Sequence, residues 1–60
     1  MSDPLSEIVG RIITAADAGI ISPGTTEQSV LDKQQRGFRL SASEMILIYE
    51  LEEKLEEKSS

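Results

Sequence analysis

The stretch Leu40–Lys58, LSASEMILIYELEEKLEEK, constrains the fold of this chain more than any other. Ser41 and Glu44 stand in S-x-x-E order. The serine hydroxyl can accept from the Glu44 N–H while the glutamate carboxylate accepts from the Ser41 N–H, which satisfies two orphan donors at a helix start. Leu40 before the cap and Met45 at the fourth helical position supply the pair for a hydrophobic staple. The run MILIY alone would suit a strand as well as a helix, because short apolar runs are ambiguous by period. The cap on one side and the Glu/Lys/Leu-rich tail on the other decide for helix. Ile48, Leu51 and Leu55 then form a seam at spacings of three and four, widened by Leu47, with Ile46 and Tyr49 on another side. The doubled LEEK adds a Glu50–Lys54 pair at i,i+4 and places Lys58 where a cation suits the helix dipole.

Two more helices are legible upstream. Ser2 or Asp3 can cap the first, with Pro4 at a position where its missing N–H costs nothing. Leu5, Ile8, Val9, Ile12, Ile13 and Ala16 repeat with helical period. Gly10 falls inside this stripe, either as the mark of a close helix crossing or as a tolerated defect. Gly19 is placed to end the helix in the left-handed region, with Ile20 folding back onto the last turn. Ser22-Pro23-Gly24-Thr25 fits a type II turn. Thr25, with Gln28 three residues on, then caps a short second helix whose apolar face is Val30 and Leu31, completed by Gln34. Gly37 ends it, and Phe38 and Leu40 are expected to point inward.

A chain of 60 residues forms one domain at most, expected to span 1–60. It buries only about 60% of its unfolded surface. With no Cys and no His, a disulfide, a thiolate metal site and the usual zinc ligand are all missing. Oligomerisation or a partner is the remaining staple. The net charge of −5 argues against general binding to nucleic acid or anionic membrane. No apolar run reaches the roughly 18 residues of a membrane span. The start MSDPLSEIV lacks the basic segment of a secretory leader, so a cytoplasmic location is expected.

The residues that could carry chemistry are few. Glu53 with Glu57 and Glu52 with Glu56 are paired carboxylates, but acid–base work needs a pKa raised by burial, and these read as a solvated helix face. The sequence holds none of the standard nucleotide, nucleophile or calcium motifs, and Ser22, Ser41 and Ser43 have no His to activate them. Lys33, Arg36 and Arg39 gather around Phe38, with Gln34 and Gln35 beside them. Cations with an aromatic can hold phosphates and stack a base, although three charges supply only modest affinity. Ala15-x-x-x-Gly19 has the spacing of a helix-turn-helix, but Ser22-Pro23-Gly24 lengthens the turn and the next helix offers few base-reading side chains.

The expected fold is therefore all-α. Three short helices, at about 4–18, 26–36 and 42–58, form a small bundle or helical hairpin completed by dimerisation. The expected function is non-enzymatic: a protein–protein interaction module such as a small acidic regulator, inhibitor or assembly adaptor, of the kind found among phage and bacterial accessory proteins. Its expected interface is Ile12, Ile46, Ile48, Tyr49, Leu51 and Leu55. The partner is a second copy, another protein or both, with no cofactor, metal or membrane. The alternatives are nucleic-acid binding through Lys33, Arg36 and Arg39, and a structural assembly component.

Overall fold

A computed structural model describes residues 3–59. It holds α1 (Pro4–Asp17), α2 (Thr25–Gln35) and α3 (Ala42–Ser59), each packed against the other two. The ends agree with the sequence expectation to within one residue.

Local chemistry explains the ends. At α1 the Asp3 carboxylate accepts from the Leu5 N–H at 3.2 Å, with Pro4 opening the helix; Ser2, the alternative cap, lies outside the described residues. Both halves of the predicted capping box form at α3: the Ser41 N–H donates to Glu44 Oε1 at 2.8 Å and the Glu44 N–H to Ser41 Oγ at 3.3 Å. Helices α1 and α2 close with the same device. Gly19 and Gly37 take φ of 78° and 86°. The N–H groups of Gly19 and Ile20 donate to the carbonyls of Ala16 and Ala15, and those of Gly37 and Phe38 to the carbonyls of Gln34 and Lys33. These are two complete Schellman motifs, each built on a glycine because a Cβ disfavours that backbone.

The start of α2 differs from expectation. Gly24, at φ −73° and ψ 175°, is the N-cap, and Thr25 is already helical. A type II turn would need positive φ at Gly24, and it has none. Glu27, not Gln28, reaches back, its Oε1 accepting from the Gly24 N–H at 2.8 Å. Gln28 Nε2 instead donates to the Pro23 carbonyl at 3.2 Å. The missing N-cap side chain is offset by the carboxylate, which is also the better partner for the positive end of the helix dipole.

The core is Val9, Ile12 and Ala15 from α1, Val30 and Leu31 from α2, Ile48 and Leu51 from α3, and one residue from each connection, Ile21 and Leu40. Leu5, Ile8, Ile13, Ala16, Leu47 and Leu55 pack around it, half-buried. The connections resolve the mismatch between a short polar α2 and two long apolar faces: Ile21 and Leu40 plug the ends that α2 cannot reach. The chain thereby covers its own core without a second copy, and the dimer is not needed for that purpose. Among the described residues no buried side chain is polar. The Cα radius of gyration, 10.8 Å, is close to the value of about 10 Å for a compact chain of this length.

Gly10 is not a close crossing. A Cβ built there would meet nothing within 4 Å, so the tolerated-defect alternative holds.

Candidate functional site

The nine-residue core leaves a second set of large apolar side chains in water. Phe38 is 61% exposed, Ile46 56%, Tyr49 49% and Met45 38%. The capping box fixes the phase of α3. With Ile48 and Leu51 turned into the core, a rotation of 100° per residue carries Met45, Ile46 and Tyr49 to the outer side. Phe38 shares with Met45 a shallow groove of about 540 Å³, whose lining also includes Leu5, Gln34, Arg39 and Leu40. The exposed side of α3 thus carries Met45, Ile46 and Tyr49 beside Ser43 and Glu50 in its first half and continues into Glu53 and Glu57, both exposed, in its second.

This arrangement divides the expected interface residues. Ile46 and Tyr49 lie on the surface, Leu55 is half-buried, and Ile12, Ile48 and Leu51 are fully inside the chain's own core. A partner touching the folded chain meets the first two, not the last three. Two exposed residues are added that the sequence reading did not place outward. One is Phe38, expected to be core, and the other is Met45. A signal for Phe38 was present. A residue just past a Schellman glycine packs on the positions three and four back from the helix end, and in α2 these are Lys33 and Asp32, which give an aromatic ring no apolar seat. Ile20, at the equivalent place after α1, also stays 45% exposed, while Ile21 turns in.

The basic cluster is only partly available. Lys33 Nζ contacts Glu44 Oε2 at 2.9 Å, tying α2 to the start of α3. Arg36 pairs with Asp32 at 3.1 Å. Arg39 is exposed and forms no ion pair among the described residues. Glu44 is therefore a node as well as a cap. The N–H of Ser41, above all, and the ammonium of Lys33 hold its carboxyl below the usual glutamate range.

The acidic tail is less uniform than its sequence suggests. Glu52 bridges to Arg11 across the α1–α3 boundary at 3.2 Å, whereas Glu50 and Lys54 do not close their expected pair. The Arg11–Glu52 bridge borders a wide groove of about 1030 Å³ between α1 and the second half of α3, lined among others by Gly10, Thr14, Ala18, Ile20 and Leu55. No group of acidic side chains among the described residues is arranged to hold a metal ion, and no helix is long and apolar enough to cross a membrane. Comparison with protein-family models, with curated proteins and with solved structures finds no match to this chain.

Proposed function

We propose that this chain is a non-enzymatic protein–protein interaction module, a small acidic regulator, inhibitor or assembly adaptor that docks through the outer face of α3. The observation that carries the reading is the apolar set Phe38, Met45, Ile46 and Tyr49, left exposed although the core beneath it is complete. Aromatic residues and Met are enriched in the centres of protein interfaces. An apolar patch without a folding role costs solubility, and such patches mark interaction sites. The acidic second half of the same helix supplies a polar flank and favours encounter with a cationic surface.

A nucleic-acid reading has one observation in its favour. Phe38 is exposed between Arg36 and Arg39, where it could stack a base. Against it, Lys33 and Arg36 already face carboxylates, and the chain carries −5 overall. Affinity capture from the native cell, read by mass spectrometry, tests the two together. The docking reading expects one stoichiometric protein, a second copy of this chain included, that is lost with Ile46→Asp and with Tyr49→Asp. Recovery that is nuclease-sensitive and indifferent to those changes, but abolished by replacing Lys33, Arg36 and Arg39 with Gln, reverses the ranking. A structural assembly role would use the same face and would show as large self-assemblies.

A further inference from the structure

The apolar pair Ile46 and Tyr49 shares its side of α3 with carboxylates and with no cation. At about 100° per residue, Tyr49, Glu50, Glu53 and Glu57 all fall within about 60° of Ile46, while Ile48 and Leu51 of the core lie about 160° and about 140° away. Every residue on this arc from Ile46 to Glu57 is exposed. The lysines of the helix, Lys54 and Lys58, are turned off the arc by about 80° and about 120°. Among the described residues, Glu50, Glu53 and Glu57 accept no side-chain hydrogen bond and form no ion pair. Glu53 stands three residues after Glu50 and four before Glu57, and like charges at these spacings destabilise the helix that carries them. Apolar area and negative charge are thus both left unanswered on one arc.

We propose, resting on the docking reading above, that the occupant of this arc is a basic amphipathic helix of another protein. Its apolar stripe lies on Ile46 and Tyr49, and its lysine or arginine side chains face Glu50, Glu53 and Glu57. Charge complementarity selects it. A second copy brings the same carboxylates and no cation on the matching arc. Self-pairing would set carboxylate on carboxylate or bury carboxylates against Ile46 and Tyr49, and a buried charge without a counter-charge is costly. The net charge of −5 on each copy adds repulsion at a distance. Nucleic acid and anionic lipid meet like charge here as well. The backbone argues for a helix. An extended segment laid over Ile46 and Tyr49 would leave its own N–H and C=O groups against apolar side chains, and α3 offers no strand edge to pair them, whereas a helix pairs them internally. From Ile46 to Glu57 the arc is about 16 Å long, or about three turns, which a helix of similar length follows in the same steps of three and four.

The probe is a synthetic helical peptide of leucine and lysine, dye-labelled and titrated with the whole chain by fluorescence anisotropy. A control peptide carries glutamine in place of every lysine. The lysine peptide should bind, and the glutamine peptide should bind at least about tenfold more weakly. Replacing Glu50, Glu53 and Glu57 together by Gln should weaken the lysine peptide by about tenfold, the combined effect of three exposed ion pairs, and flatten its dependence on salt. Ile46→Asp adds a carboxylate yet removes the apolar contact, so it should abolish binding, whereas attraction by charge alone would make it bind more tightly. Glu53→Gln should weaken binding while Asp17→Asn, the same change in charge at an exposed position on α1, leaves it unchanged. Circular dichroism checks that each variant keeps its helix content. Equal binding of the two peptides, an unmoved triple variant or tighter binding by Ile46→Asp would each overturn the proposal. A wild-type dimer in sedimentation equilibrium that Ile46→Asp dissociates would also overturn it, and would leave the docking reading standing with a second copy as the occupant. If neither Ile46→Asp nor Tyr49→Asp altered any association, the docking reading itself would fall.

Discussion

The first half of α3 carries large apolar side chains on both of its faces, and they have opposite fates. Ile48 and Leu51 on the inner face are almost completely buried, whereas Ile46 and Tyr49, two residues away in each case, stand about half in water. Hydrophobicity does not separate them. Rotation does, and rotation is fixed by the capping box and by Leu40, which anchor the first turn. Burial therefore distinguishes what the chain uses to fold from what it has to spare, and only the spare set is open to a partner.

The largest expected effect comes from carrying the same substitution across the helix. Ile48→Ala removes a buried side chain and leaves a cavity, at a cost of about 2–5 kcal/mol, a large part of the stability of a small domain. Ile48→Asp, which buries an unpaired charge, should unfold the chain. Ile46→Ala should change unfolding by no more than about 0.5 kcal/mol when the protein is dilute enough to be monomeric. Urea titrations of the variants at matched low concentration check this. Similar losses at positions 46 and 48 would mean that the two faces are not distinct.

Next in size is the cap that sets the rotation. Ser41→Ala removes the hydroxyl that accepts from the Glu44 N–H, for about 1 kcal/mol. Because the cap fixes the phase of the helix, the variant should also raise hydrogen exchange in the first turn of α3 more than at its centre. An unchanged urea midpoint would mean that Leu40 alone sets the start.

The contrast extends to α1, where Gly10 is exposed and a Cβ added to it would meet nothing within 4 Å. Gly10→Ala should therefore stabilise the helix by up to about 1 kcal/mol, measured as a rise in thermal midpoint. The cost of this glycine is retained although packing does not require it. A loss of stability would show that something occupies the groove above it.

Which parts of this were readable from the residues follows from the range of the forces involved. The limits of α1 and α3, Ser41 as a cap, Asp3 as one of the two caps offered for α1, and Gly19 and Gly37 as terminators are set within four or five residues, and these were legible. The seam at Ile48 and Leu51 was legible too, because helical period alone predicts it. The roles of Ile20 and Ile21 were not: both are apolar, both follow the same glycine, and only the path of the chain toward α2 decides which one turns in. Phe38, expected inward, stays exposed because Lys33 and Asp32 offer it no apolar seat. Ile21 was not in the expected core because it stands in a connection outside the helical stripes, whereas Leu40, expected to point inward, is buried. Gly24 and Glu27 were missed because a cap without a side chain leaves no local signature beyond the acid three residues on.

The smallest expected effect concerns the node between the faces. Glu44 is depressed below its ordinary value of 4.5, first by the Ser41 N–H and then by Lys33. A carboxyl with a lowered folded pKa contributes stability that is fully present above its unfolded pKa and is lost as pH falls through the folded value. Stability at pH 7 should thus contain this contribution whole, and it should decline only below about pH 4.5, where the unfolded group begins to take up its proton. Glu44→Gln mimics the protonated side chain while keeping an acceptor for the Ser41 N–H. The gap in urea midpoint between wild type and Glu44→Gln should be constant from neutral pH down to the ordinary glutamate range and close on further acidification. Lys33→Gln should narrow that gap without abolishing it, because the larger cause of the depression is the backbone donor within the cap itself. If Lys33→Gln removed the gap entirely, the link between α2 and α3 rather than the cap would be what holds the carboxylate ionised, and the start of α3 would depend on its neighbour more than on its own sequence.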